Sequence, residues 1–283
     1  MTTEGARRFA RPSLAARLLA GARFEVIPLS GIEQQVALLP SGSTVTVTAS
    51  PRHGMRRTLE VSERLASLGY RVVPHLAARM IRGPTDLEEI AERLGSAGID
   101  EAFVVGGDAP SSPATFGDAG DLLEALWAES QPRLRIGVAG YPEGHPAVSG
   151  ATLLDSLRRK QPRADYITTQ ICFDADALVR WLNAIRSAGI ELPVIVGLPG
   201  PVERRKLAEI SLRAGVGASL RYLTRHHRSV VALARARRYD PTALAVAVGA
   251  HLDEPGLGIA GVHLFTFNRV EETQAWVRRM GSE

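Results

Sequence analysis

Carboxylate, amide and imidazole side chains lie at or near the ends of several short apolar runs of the sequence. Glu25 lies in the first run, His75 in the third, Asp108 closes the fourth and Gln170 belongs to the sixth. Burying such groups on apolar strands is unfavourable unless each has a partner or a chemical role. Any one of them alone is equally well read as a cap or a loop anchor. Together they predict a site that holds a small polar heterocycle by carboxylate and amide hydrogen bonds, with one acid available to move a proton.

The elements that must position these residues form an alternation of strands and helices. Apolar and β-branched runs predict eight strands, over residues 23–28, 43–49, 71–76, 101–107, 135–141, 166–173, 193–198 and 261–268. Amphipathic stretches between them predict helices, several of which end in Ala-Gly or Leu-Gly, the pattern of a helix stop. A short further helix is expected at about residues 13–20, across the mouth or the base of the domain.

Eight such units favour a (β/α)8 TIM barrel over a doubly wound sheet, which usually has fewer strands. The sequence shows no internal linker, so residues 1–283 are expected to form a single catalytic domain. Residues 202–252 hold more helix than one unit requires, which predicts extra helices before the last strand. Because the active sites of such barrels lie at the C-terminal ends of the strands, the polar residues above are predicted to converge there.

The composition is that of an ordinary globular protein, with 45% hydrophobic and 23% charged residues. A single cysteine, Cys172, excludes an internal disulfide framework and a multi-cysteine zinc site. No uncharged apolar run is long enough for a transmembrane helix, and we expect a cytoplasmic protein. The net charge of +4 is carried almost wholly by arginine, since Lys160 and Lys206 are the only lysines. This balance favours anionic partners, whether phosphates, carboxylates or nucleic acid.

Two motifs imitate cofactor or metal sites without the required context. Residues 256–261 read GLGIAG, but they precede a predicted strand, whereas dinucleotide binding needs a strand before the glycines and a helix after them. We interpret them as a loop into the last strand. His226 and His227 are neighbours rather than an i, i+4 pair and have no Cys or acid at ligand spacing, so no metal site is expected.

The strand ends together resemble the methylenetetrahydrofolate reductase family in its single-domain bacterial form. The most specific match is VAGYPEGHP at residues 138–146, supported by PHL at 74–76, GD at 107–108 and ADYITTQ at 164–170. In this order and spacing the motifs cover nearly the whole chain. The resemblance implies a (β/α)8 barrel that reduces 5,10-methylenetetrahydrofolate, or its polyglutamates, to the 5-methyl form with electrons from NADH or NADPH. The anionic glutamate tail would suit the surplus of arginine.

The resemblance also implies the roles of the strand-end residues. Glu25 matches the family's general acid, which protonates folate N10 so that the five-membered ring opens to an N5 iminium, the hydride acceptor. Asp108 matches the carboxylate that faces the pterin and the redox partner and stabilises the developing cation. Gln170 matches the amide that hydrogen-bonds the pterin ring. Glu25 and Asp108 are therefore the expected catalytic residues, and all three are expected to bind the substrate.

The same family binds FAD, and in this respect the sequence departs from the pattern. Gly106-Gly107-Asp108 stands where the family commonly has Arg-Gly-Asp, and Asp118 replaces a tyrosine, which places an acid beside an anionic cofactor. A hydrogen bond to a charged group contributes about 1.5–3 kcal/mol, so these losses weaken flavin binding. We therefore expect FAD to bind weakly or not at all and the nicotinamide to deliver hydride directly. Other positions do match the family's flavin contacts and are the expected cofactor-binding residues: Thr48, His75, Tyr141, His145 and Lys160.

Three alternatives remain open from the sequence. If other residues compensate for the substitutions, FAD carries the hydride as elsewhere in the family. The chain is alternatively a folate-binding barrel that transfers or removes methyl groups, although simple binding needs no acid for N10. A nucleic-acid-binding protein is indicated only by the isoelectric point, without a recognisable binding module. The sequence decides neither between NADH and NADPH nor the oligomeric state.

Overall fold

The computed structural model describes residues 13–110, 112, 115–129, 134–203 and 238–282. Eight strands close into a barrel in which every neighbouring pair is parallel and β8 pairs with β1. This confirms the predicted (β/α)8 fold. The strands are β1 (Arg23–Val26), β2 (Thr44–Val47), β3 (Arg71–Ala77), β4 (Glu101–Val105), β5 (Arg135–Gly140), β6 (Tyr166–Thr169), β7 (Val194–Pro199) and β8 (Ile259–Phe265).

Helices surround the barrel and bury one face each. On α3, for example, Leu59 and Leu65 are 2% and 0% exposed, and the helix packs against β3. No described helix is long and apolar enough to cross a membrane. The helices are α1 (Leu14–Leu19), α2 (Ile32–Val36), α3 (Gly54–Ser67), α4 (Gly83–Ser96), α5 (Ala119–Glu129), α6 (Gly150–Lys160), α7 (Ala175–Ser187), α8 (Thr242–Gly249) and α9 (Val270–Ser282).

The first helix lies on the outside of the barrel near its N-terminal end. Ser13 caps α1, because its Oγ accepts a hydrogen bond of 3.2 Å from the backbone N–H of Ala16. The helix packs against α8 and α9, and the next residues, Ala20 and Gly21, line the end of the barrel where the strands begin. Of the two positions expected for this helix, the structure therefore favours the base.

The end of the last strand differs from the prediction. The strand was expected over 261–268, but β8 spans Ile259–Phe265. Phe267 and Asn268 adopt left-handed φ angles of 52° and 59°, which lie outside the β region of backbone conformation. Gly261 lies within β8, so residues 256–261 are only partly the loop that was expected.

The segment before β8 is described only in part. Its described portions are a two-residue antiparallel ladder, in which Val202 pairs with Tyr239, and helix α8. The remaining helices expected there, and the His226-His227 pair, lie outside the described residues.

Candidate active site

Glu25 faces the interior of the barrel near its C-terminal end. Side chains alternate along a strand, so Phe24 and Val26 pack in the outer apolar core while Glu25 points inward. Its side chain is 14% exposed, and its Oε2 accepts a hydrogen bond of 3.0 Å from Nε2 of His263 on β8. His75 Nε2, on β3, lies 3.9 Å from Glu25 Oε2. A sheltered carboxylate thus lies between two imidazoles.

His75 is a neutral imidazole with an unused polar atom. Burial lowers its pKa to about 4, an effect that the charge of Glu25 opposes and that of His263 reinforces. Its ring packs edge-on against Phe103, with centroids 4.8 Å apart. Within the described part of the chain, His75 Nε2 has no hydrogen-bond partner. A buried polar atom without a partner is unfavourable, so this nitrogen is available to a ligand.

The C-terminal end of β1 is fixed by the turn that follows β8. Thr266 Oγ1 donates to the carbonyl oxygen of Glu25 at 2.5 Å. The Asn268 amide accepts from the N–H of Ile27 at 2.8 Å and donates to the Ile27 carbonyl at 3.0 Å. Thr266 and Asn268, the polar residues that follow the last strand, therefore hold the backbone beside Glu25.

Asp108, Tyr141 and His145 form a second group at the ends of β4 and β5. Gly107 has a φ of 84°, a left-handed turn that delivers Asp108 to an exposed position after β4. Burial raises the pKa of Tyr141, and the negative charge of Asp108 raises it further. The Tyr141 and His145 rings meet edge-on, with centroids 5.3 Å apart.

Gln170 follows β6 and is anchored by its backbone. Its N–H donates to the Gly140 carbonyl at 2.7 Å, which joins the ends of β5 and β6. Its side-chain oxygen accepts from the Ile171 N–H at 2.9 Å. Glu143 ties the same two loops, since its Oε1 accepts from the Phe173 N–H at 2.6 Å. The side-chain amide of Gln170 thus comes from a well-positioned loop, although in this conformation its oxygen bonds the chain itself.

Thr48 lies directly after β2, next to the strand that carries Glu25. Its N–H donates to the Val26 carbonyl at 3.0 Å, and its own carbonyl accepts from Thr58 Oγ1 at 3.0 Å. Its side chain is half-buried.

Lys160 is the last residue of α6, and its charged neighbours are Asp118 and Arg159. Burial lowers its pKa to about 8, opposed by the charge of Asp118 and reinforced by that of Arg159. Asp118 pairs with Arg159 and also accepts hydrogen bonds from the N–H groups of Gly120 at 2.6 Å and Asp121 at 3.1 Å. Burial alone would raise the pKa of Asp118, but these hydrogen bonds outweigh it and lower that pKa. The carboxylate of Asp118 thus caps the N-terminus of α5.

The structure therefore brings the expected residues together in groups rather than in one cluster. Glu25 lies beside His75, Tyr141 contacts His145, Asp108 follows the neighbouring strand β4, and Lys160 has separate neighbours. Sequence reasoning missed His263, which contacts Glu25 directly. The sequence did contain a signal for His263, because a histidine within an otherwise apolar strand needs a partner or a chemical role.

A closed parallel barrel with a sheltered carboxylate near the C-terminal ends of its strands defines a (β/α)8 protein suited to acid–base chemistry. The chain belongs to the methylenetetrahydrofolate reductase family, whose model matches residues 28–281. Glu25 precedes the matched residues.

Individual relatives are similar over parts of the chain. The Escherichia coli 5,10-methylenetetrahydrofolate reductase is 31% identical over 172 residues, which are 58% of this chain and 56% of that protein. Methylenetetrahydrofolate reductase (NADH) 1 of Arabidopsis thaliana is 26% identical over 75% of this chain and 38% of its own length. Methylenetetrahydrofolate reductase 2 of Saccharomyces cerevisiae is 28% identical over 40% of this chain and 20% of its own length. The matches therefore span less than two thirds of each of these relatives.

Proposed function

We propose that this chain is a single catalytic barrel that reduces 5,10-methylenetetrahydrofolate to 5-methyltetrahydrofolate, with a reduced nicotinamide as hydride donor and without bound flavin. The observation that carries the proposal is the Glu25 carboxylate, which is sheltered in the barrel, hydrogen-bonded to His263 and close to a neutral His75. An acid in such a place protonates a substrate nitrogen without competition from bulk water.

Glu25 is the proposed proton donor. Its proton passes to folate N10, the bond between N10 and the methylene carbon breaks, and the methylene carbon becomes part of an iminium with N5. Hydride from the nicotinamide then adds to that carbon and gives the methyl group. Because His263 donates to Oε2, Oε1 remains to carry the acidic proton. His263 is therefore a positioning residue for Glu25.

Asp108 and Gln170 are the proposed substrate-binding partners. Asp108 lies exposed at the end of β4, where its negative charge stabilises the cation that develops on the folate ring. Gln170 contributes an amide for the edge of the pterin, once its oxygen exchanges the Ile171 N–H for the ligand. Thr48, His75, Tyr141, His145 and Lys160 are proposed to contact the dinucleotide, either NADH or NADPH.

The α5 region does not fit a flavin phosphate. A helix N-terminus binds phosphate through its free N–H groups, but Asp118 already accepts from those of Gly120 and Asp121. Arg159, the neighbouring cation, is paired with the same carboxylate. A phosphate there would have to displace Asp118 and would meet its negative charge. This supports direct transfer from the nicotinamide.

The test is an absorbance spectrum of the purified protein, followed by NADH oxidation with methylenetetrahydrofolate in the absence of flavin. We expect a colourless protein that turns over and gains nothing from added FAD. The Glu25→Gln variant, purified in parallel, controls for a contaminating host reductase, because a contaminant would be equally active in both preparations. A yellow protein, or activity only with FAD, contradicts the flavin-independent route, and no turnover under either condition contradicts the reductase assignment.

A further inference from the structure

The opposite end of the barrel, where the strands begin, contains a second polar cavity. Its volume is about 190 Å³. The charged residues that line it are Arg23 of β1, Arg71 of β3, Glu101 of β4 and Arg135 of β5, and Tyr166 of β6 lies among them. None of these residues belongs to the site proposed for folate or the dinucleotide. The two sites lie at different ends of the same barrel.

Two of the arginines contact both Glu101 and Tyr166. Arg23 Nη1 donates to Glu101 Oε1 at 2.5 Å and to the hydroxyl oxygen of Tyr166 at 2.9 Å. Arg135 Nη1 donates to Glu101 Oε2 at 3.3 Å. The two guanidinium carbons lie 4.6 and 4.8 Å from the centroid of the Tyr166 ring. Because Arg23 is only 12% exposed and Tyr166 only 1% exposed, the Arg23 guanidinium is already ordered before any ligand arrives, whereas the Arg135 side chain is 51% exposed.

The residues that line the cavity carry an excess of positive charge. Three arginines face one glutamate, and Glu101 is shared by Arg23 and Arg135. Arg71 is exposed and, within the described part of the chain, its side chain makes no ion pair or hydrogen bond. The excess positive charge, in a pocket with low-dielectric walls, concentrates anions.

We propose that this cavity binds a small doubly charged oxyanion of the phosphate type. Guanidinium groups match the oxygens of phosphate in geometry and charge. A cavity of 190 Å³ is smaller than the roughly 300–1,000 Å³ that enclose drug-sized ligands, so it has room for inorganic phosphate but not for a dinucleotide. Arg71 supplies the charge that has no partner, and Arg23 and Arg135, which both contact Glu101, supply the other guanidinium groups. This proposal does not rest on the proposed reaction.

The experiment is a calorimetric titration of the full chain with inorganic phosphate at constant ionic strength, adjusted with sodium chloride. We expect saturable binding that sulfate competes for. Arg71→Gln is expected to weaken the binding about tenfold or more, the loss of one hydrogen bond to a charged group. Arg71 is exposed and holds no partner, so this variant is expected to fold. Arg135→Gln is a second variant with the same expected direction.

Two controls separate this site from other sources of binding. Arg56→Gln removes an 85% exposed arginine elsewhere and is expected to leave the phosphate affinity unchanged. Lys160→Gln tests whether the phosphate binds instead among the cofactor residues. The proposal is overturned if binding is not saturable, if Arg71→Gln and Arg56→Gln have the same effect, or if Lys160→Gln alone weakens the binding.

Discussion

The two ends of the barrel are both charged, but their polar groups are satisfied to different degrees. At the N-terminal end, Arg23 and Arg135 share Glu101. At the C-terminal end, Glu25 has a single close partner, His263, and the Nε2 of His75 has none among the described residues. One end is a connected network, whereas the other contains a buried imidazole nitrogen without a hydrogen-bond partner among the described residues.

This difference predicts where substitutions change stability and where they change the rate of the proposed reaction. A connected ionic network fixes the strands that carry it, because removing one member leaves another charge buried and unpaired. A neutral imidazole whose buried nitrogen has no partner weakens the folded state slightly, and such a group persists where a ligand completes its bonding. Equivalent substitutions at the two ends should therefore have opposite consequences for rate and for stability.

The largest effect is expected from Glu25→Gln at the C-terminal end. The amide has the shape of the carboxylate and still accepts a hydrogen bond from His263, but it does not donate the acidic proton. We expect turnover to fall by about 10²–10⁴-fold, the contribution of a positioned general acid. Steady-state NADH oxidation measures the rate, and a folate titration measures binding, which is expected to stay nearly intact.

The stability of the same variant completes the comparison. Urea unfolding of Glu25→Gln should give a free energy of unfolding close to that of the unmodified chain. If turnover is unchanged, Glu25 is not the acid. If turnover and stability fall together, the C-terminal end is as structural as the base, and the contrast between the two ends is lost.

The fold could be predicted from the sequence because its signals are local. Gly69, Gly98 and Gly189 follow helices with positive φ angles of 86°, 67° and 83°, as helix stops do. The β-branched runs likewise predicted the strands they form. The predicted end of β8 was wrong because Phe267 and Asn268 take positive φ angles. The Asn268 side chain, which forms two hydrogen bonds with the backbone of distant Ile27, holds this turn.

The site was predictable only as a list of residues. The contact between Glu25 and His263 joins residues 238 apart, and the pair of Asp118 with Arg159 joins residues 41 apart. No spacing rule encodes such separations. A search of the strand ends alone misses His263, because it lies within the last strand rather than at its end.

At the base, Glu101→Gln is expected to lower stability. The substitution keeps the shape of the side chain but removes the charge that Arg23 and Arg135 share. We expect the free energy of unfolding to fall by about 2 kcal/mol, which is in the range for hydrogen bonds to charged groups. Urea unfolding and the shift of the thermal midpoint measure the change.

Turnover per folded molecule separates the two ends. It should fall far less in Glu101→Gln than in Glu25→Gln. If the Glu101 variant were as stable as the unmodified chain, the network would not hold the strands. If it lost turnover as fully as Glu25→Gln, the base would contribute to the reaction, and the separation of the two ends would be wrong.

The smallest effect is expected at His263, which tests whether the C-terminal end is organised as well as reactive. His263→Leu removes the donor to Glu25, and we expect kcat to fall about tenfold, because the acid loses a hydrogen bond that fixes its orientation. His263→Gln restores an N–H at a similar reach and should recover most of the lost rate.

A purely structural histidine would show the opposite pattern, since stability would fall in His263→Leu and the glutamine would rescue neither property. Equal rates in both variants, with unchanged stability, would mean that Glu25 orients itself without His263. The KM for folate separates these cases from a binding defect, since a positioning residue for the acid changes kcat more than KM.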